Sequence, residues 1–176
     1  MVGKVGSGSF GATSGDPNII NLGENETTKK MLESCRNIAN YYAANNYTYD
    51  KDHPVWTANY LEQQARTSCC SIYVLQVLYD CGLASDLGEM DVGYLQNTFF
   101  PGNPNWVRID AKSEADLKPG DVQIYKNNGG SHTNIYAGNG RYWDAGKQGV
   151  GAFVGTTITF GMEKYTCSYR YIGYNR

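Results

Sequence analysis

Ser131-His132-Thr133-Asn134-Ile135-Tyr136-Ala137-Gly138-Asn139-Gly140-Arg141-Tyr142-Trp143-Asp144 reads as two strands joined by a tight turn. Strand-forming residues run from His132 to Ala137, Gly138-Asn139-Gly140 is a hairpin signal, and Arg141 to Asp144 returns. The length of the turn decides which side chains share a face, because a one-residue slip moves every side chain of a strand to the other side. A two-residue turn would pair Gly138 with Arg141 and Ile135 with Asp144, separating Asp144 from His132. A three-residue loop, Gly138 to Gly140, pairs Ala137 with Arg141 and Asn134 with Asp144, so that His132, Asn134, Tyr136, Tyr142 and Asp144 line one side. Glycine at both ends supplies the positive φ such a loop needs. The three-residue loop is the expectation, with an Asp144 oxygen within hydrogen-bonding range of the His132 ring.

Around this hairpin, Lys118-Pro119-Gly120-Asp121 is a turn feeding a strand from Val122 to Tyr125, and Asn127-Asn128-Gly129-Gly130 turns the chain again. Later strand candidates are Thr156 to Phe160 and Tyr165 to Ile172. The N-terminal half has a different period. Met31, Cys35, Ile38 and Tyr42 form one apolar face of a helix from about Thr28 to Ala44, closed by Asn45-Asn46. Tyr47 to Ala65 reads as a loop or short helix. A second helix runs from Cys70 to Cys81 and stops at Gly82. Its residues Ile72, Val74, Leu75, Val77 and Leu78 wrap most of the circumference, which predicts a central, buried helix. A short third helix fits between Asp91 and Phe99, stopped by Pro101. Helices first and an antiparallel sheet afterwards is an α+β pattern. Residues 1–24, with Gly3, Gly6, Gly8, Gly11 and Gly15, read as a flexible leader or linker, and residues 25–176 as one domain.

A net charge of −2 provides no basic field, which argues against nucleic acid or an anionic membrane as the main partner. The fifteen tyrosines against five phenylalanines suit either a surface that grips sugars or peptides, or simply strands and surface. Five cysteines, Cys35, Cys69, Cys70, Cys81 and Cys167, make an odd count without disulfide-framework spacing. Without a C-x-x-C pair, and with only His53 and His132 as histidines, no metal site and no cofactor are expected. His53 reads as a surface residue. No signal-peptide pattern and no apolar run long enough to span a bilayer is present.

The chemistry-bearing pair is Cys70 with His132. A thiol is mostly protonated at neutral pH, and a helix N-terminus beneath it and an imidazole beside it correct this. Cys70 opens the central helix and His132 opens a strand. Adjacent helix positions point about 100° apart, so of Cys69 and Cys70 only one can face His132. Cys35, Cys81 and Cys167 read as packed core thiols.

Cys69-Cys70-Ser71-Ile72-Tyr73-Val74, Pro119-Gly120-Asp121-Val122-Gln123-Ile124-Tyr125 and His132-Thr133-Asn134-Ile135-Tyr136-Ala137-Gly138-Asn139-Gly140 resemble the motifs of the NlpC-type cell-wall peptidases, a papain-like family. The resemblance covers roughly residues 38 to 146. Cys69 stands where the family usually has Asp, and Ile72 where it usually has Gly. What the resemblance implies is a papain-like fold, with the nucleophile helix packed on an antiparallel sheet. Cys70 would be the nucleophile, His132 the base and Asp144 the residue that orients the imidazole. The family's oxyanion-facing tyrosine falls on Tyr47, with Tyr49 as the alternative. The implied activity is cleavage of γ-D-glutamyl to diamino acid bonds in peptidoglycan stem peptides. The enzyme would act at the cell wall as a monomer, secreted or released by a phage as an endolysin. A CHAP-type amidase cutting between glycan and L-alanine, and an inactive module that grips wall peptides, remain as alternatives.

Overall fold

The computed structural model describes residues 23–50, 66–85, 91–127, 130–145, 153–154 and 164–173. The fold is mixed α+β. Helix α1, Glu26–Ala44, begins two residues before the expected Thr28 because Asn25 and Thr28 cap it reciprocally: Asn25 Oδ1 accepts from the Thr28 amide at 2.9 Å, and Thr28 Oγ1 accepts from the Asn25 amide at 3.2 Å. Met31, Leu32, Cys35, Ile38, Ala39 and Tyr42 form its buried face. Two short strands, β1 (Thr48–Tyr49) and β2 (Thr67–Ser68), pair in parallel, Thr48 with Thr67 and Tyr49 with Ser68. Two residues are too short to leave a periodic signal, so this ladder was not foreseen.

Helix α2, Cys70–Asp80, has Cys69 as its N-cap, and Gly82 follows its last turn at φ 73°. Every residue from Cys70 to Leu78 is buried, as the all-round apolar pattern predicts. Ser71 and Gln76 are polar residues in that stretch, and Gln76 Oε1 accepts from Tyr42 of α1. Helix α3, Val92–Tyr94, is capped by Asp91 and widens into a π-type turn over Leu95–Phe99.

The main sheet runs in the order β3-β8-β4-β5-β6-β7: β3 Trp106–Ile109, β4 Val122–Asn127, β5 Gly130–Gly138, β6 Arg141–Asp144, β7 Phe153–Val154 and β8 Tyr165–Tyr171. All its pairings are antiparallel. Strands β3 and β7 were not anticipated. The C-terminal β8 inserts between β3 and β4, a pairing no local pattern encodes. The expected strand at Thr156 to Phe160, residues 1–22 of the expected leader 1–24, and His53 lie outside the described residues.

The expected three-residue loop is corrected by the structure. Gly138 pairs with Arg141, and Asn139 (φ 53°) and Gly140 (φ 70°) form a two-residue turn with both central residues left-handed. A β-bulge then leaves Ala137 unpaired, so Tyr136 faces Tyr142 and Ile135 faces Trp143. Extending that register by one step sets Asn134 opposite Asp144. The bulge restores the face that the short turn alone would have reversed.

Helix α2 packs between α1 and the sheet. The sheet contributes Val122, Ile124, Ile135, Ala137, Trp143, Cys167 and Tyr169 to that core.

Candidate functional site

The site lies where α2 begins and β6 ends. Cys70 is the first residue of α2 and only 6% exposed. The backbone amide of Thr133, the neighbour of His132 on β5, lies close enough to the Cys70 sulfur to favour the thiolate. Strand β6 stops at Asp144, opposite Asn134, so at Thr133 the ladder between β5 and β6 has run out and the thiol approaches the strand there. His132 and Thr133 point to opposite sides of β5, and among the described residues no strand pairs with β5 on the β6 edge at this point.

His132 and Asp144 come together directly. Their atoms Nε2 and Oδ1 lie 2.7 Å apart, with both side chains about nine-tenths buried. A carboxylate on Nε2 favours the tautomer with the proton on that nitrogen and leaves Nδ1 as the basic one. Tyr125, directly across from His132 on β4, holds its ring centroid 6.3 Å from the imidazole. The charge of Asp144 also reaches the Cys70 thiol.

Cys69 and Cys70 have different surroundings although they are adjacent. Cys69 is the extended N-cap, with its sulfur 3.4 Å from Ser71 Oγ. The Cys70 thiol, the Ser71 hydroxyl and the amides of Ile72 and Ser71 favour its thiolate over the cost of burial and hold it below the ordinary thiol range. Cys70 is pushed the other way, first by its hydrogen bond to Cys69, then by burial and the neighbouring negative charge. Cys35, Cys81 and Cys167 are buried core thiols, and burial raises all three, Cys81 to about 11.

The two tyrosines named from the sequence part company. Tyr47 is buried in the core, its ring stacked on Tyr42 at 4.4 Å and edge-on to Tyr41 at 5.9 Å. Tyr49 is half-buried beside Ser68, in the strand that leads to Cys69. The Asp50 amide extends this ladder to the Ser68 carbonyl at 2.8 Å. Tyr42 Oη contacts Ser68 Oγ at 3.0 Å and donates to Gln76, so α1 also braces the segment before the cysteines.

Sequence reasoning missed the depth of the polar layer around His132. Gln123, Tyr125, Asn134, Tyr142 and Ser168 share its side of the sheet and are buried. Alternation in β4 and β5 signals a polar side, which ordinarily means a solvated one. Among the described residues no three His, Cys, Asp or Glu side chains gather as metal ligands, and no helix is long and apolar enough to cross a membrane. No protein-family model matches the chain, and neither does any curated protein.

Proposed function

We propose that this chain is a papain-like cysteine peptidase that cuts γ-D-glutamyl to diamino acid bonds in peptidoglycan stem peptides. The observation that carries the reading is the buried contact of 2.7 Å between His132 and Asp144, beside a cysteine on the first turn of a buried helix. The motif resemblance supplies the substrate class.

In this mechanism Cys70 passes its proton to His132 and attacks the peptide carbonyl. His132 then protonates the leaving amine, and a water activated by His132 hydrolyses the thioester. Asp144 holds the imidazole in one tautomer and stabilises its cation. The amide of Cys70, which as the first residue of α2 has no acceptor within the helix, stabilises the oxyanion.

Turbidity loss of purified cell walls tests the proposal. Cys70→Ala is expected to lower the rate by three or more orders of magnitude, as loss of a nucleophile does. Cys69→Ser is expected to keep most of it, because serine is itself a good N-cap. The reverse pattern moves the nucleophile to Cys69. Digestion should release new amino groups without new reducing ends. Muropeptide masses showing a free L-alanine amine would instead identify an amidase, and walls left untouched by the wild-type chain would leave a binding module.

A further inference from the structure

Two adjacent thiols at one helix start, in unlike environments, make a chemical pair as well as a catalytic position. Cys69 occupies the N-cap with extended backbone (φ −146°, ψ −178°), at the open N–H end of an 11-residue helix and 3.4 Å from the Ser71 hydroxyl. That end of a helix favours an anion. Cys70 follows Cys69 directly as the first helical residue, so the two thiols leave neighbouring Cα atoms at the same helix start. Neither sulfur is bound in a disulfide.

We propose that Cys69 and Cys70 form a reversible oxidation site, at which a peroxide oxidises Cys69 and Cys70 closes on it as a vicinal disulfide. The functional consequence rests on the reading of Cys70 as nucleophile. In the first step the Cys69 thiolate attacks hydrogen peroxide. An S–O bond forms, the O–O bond breaks, sulfur gives up two electrons, and hydroxide takes up a proton to leave as water. In the second step the Cys70 thiol attacks that sulfur. The S–S bond forms, the S–O bond breaks, and the departing hydroxide leaves as water with the thiol's proton.

Closure removes Cys69 from the helix N–H groups and Cys70 from the Thr133 amide, so the site is switched off while the bond persists. Adjacent Cα atoms are about 3.8 Å apart across a trans peptide, less than the roughly 4.4–6.8 Å usual for disulfides. The bond is therefore strained and is readily reopened by a dithiol. The thiolate is the reacting form, and Cys69, at the helix N-terminus with the Ser71 hydroxyl 3.4 Å from its sulfur, is the better placed of the two to carry the charge, which sets the order of the steps.

The test uses the reduced full chain treated with equimolar hydrogen peroxide at neutral pH and quenched with iodoacetamide. A cut after Tyr73 separates the Cys69–Cys70 fragment from Cys81. The expected fragment carries no alkyl group, is two hydrogens lighter than the reduced form, and regains both alkylation sites after dithiothreitol. In Cys69→Ser, oxidation at Cys70 should slow by on the order of tenfold or more. In Cys70→Ser, dimedone should trap a sulfenic acid on Cys69. Oxygen added to the fragment without loss of two hydrogens, or a bond mapping to Cys35 and Cys81, overturns the proposal. If the vicinal bond forms but the reduced chain never lyses cell walls, the switch chemistry stands and the functional reading falls.

Discussion

Around β4, β5 and β6 both sides of the main sheet are buried, yet they are made of opposite chemistry. Toward α2 stand Val122, Ile124, Ile135, Trp143 and Cys167, none more than 1% exposed. On the other side stand Gln123, Tyr125, His132, Asn134, Tyr142, Asp144 and Ser168, none more than 9% exposed. Equal dryness means the difference is one of purpose. Apolar burial stabilises by about 25 cal/mol per Å², whereas a buried polar group without a partner costs about 1–3 kcal/mol. Gln123 has no hydrogen-bond partner at either end of its amide among the described residues, and Asn134 has none at Oδ1. A buried polar layer is where polar contacts such as that of His132 with Asp144 are stronger than at the surface.

The contrast is broken most severely at its functional end. Asp144→Asn is expected to cut cell-wall turnover by about three to four orders of magnitude, the scale seen when an orienting carboxylate becomes an amide. Its melting temperature should stay close to that of the wild type. Undiminished turbidity loss would make Asp144 a structural carboxylate and nothing more.

On the apolar side the same comparison predicts the opposite split. Ile124→Ala leaves a cavity under α2 and is expected to cost about 2–5 kcal/mol in urea unfolding, with activity per folded molecule retained. A stable variant with lost activity would show that the two sides are not separable in this way.

Gln123→Met sharpens the comparison with a smaller effect. It replaces a buried amide by an apolar chain of similar volume, and a gain of about 1 kcal/mol is expected in the same unfolding measurement. An equal loss would show that the amide is satisfied by ordered water, as buried polar groups often are.

Much of the fold could be read locally. The 3.6-residue period placed α1, an all-round apolar run ended by Gly82 placed α2, glycine-rich turns placed β4, β5 and β6, and Tyr165 to Ile172 read as a strand where β8 lies. Asn25, one step outside the periodic stretch, moved the start of α1, because capping acts through single side chains rather than through a period. Strand β3, with Val107 and Arg108 exposed, carries little pattern and becomes a strand by pairing with β8. The resemblance pointed to Tyr47 as an oxyanion-facing residue, but its burial and its stacking on Tyr42 depend on where α1 ends and β1 begins.

The hairpin shows most clearly where local reading stops. Asn139-Gly140 suits a two-residue turn, since both positions accept positive φ, and Gly138, which had pointed to a three-residue loop, instead pairs with Arg141. That turn alone would have put Asp144 on the wrong side. The bulge at Ala137 reverses the outcome, and neither its position nor its existence is written in the residues of the turn. The sequence by itself determined the α+β class, the buried α2 with two thiols at its start, and the strand that carries His132, because each follows from backbone preferences within a few residues. Only the tertiary structure decided that β8 lies beside β4, that Cys70 meets the Thr133 amide where β6 ends, and that the polar side of the sheet is dry, because pairing and burial depend on segments far apart in the chain.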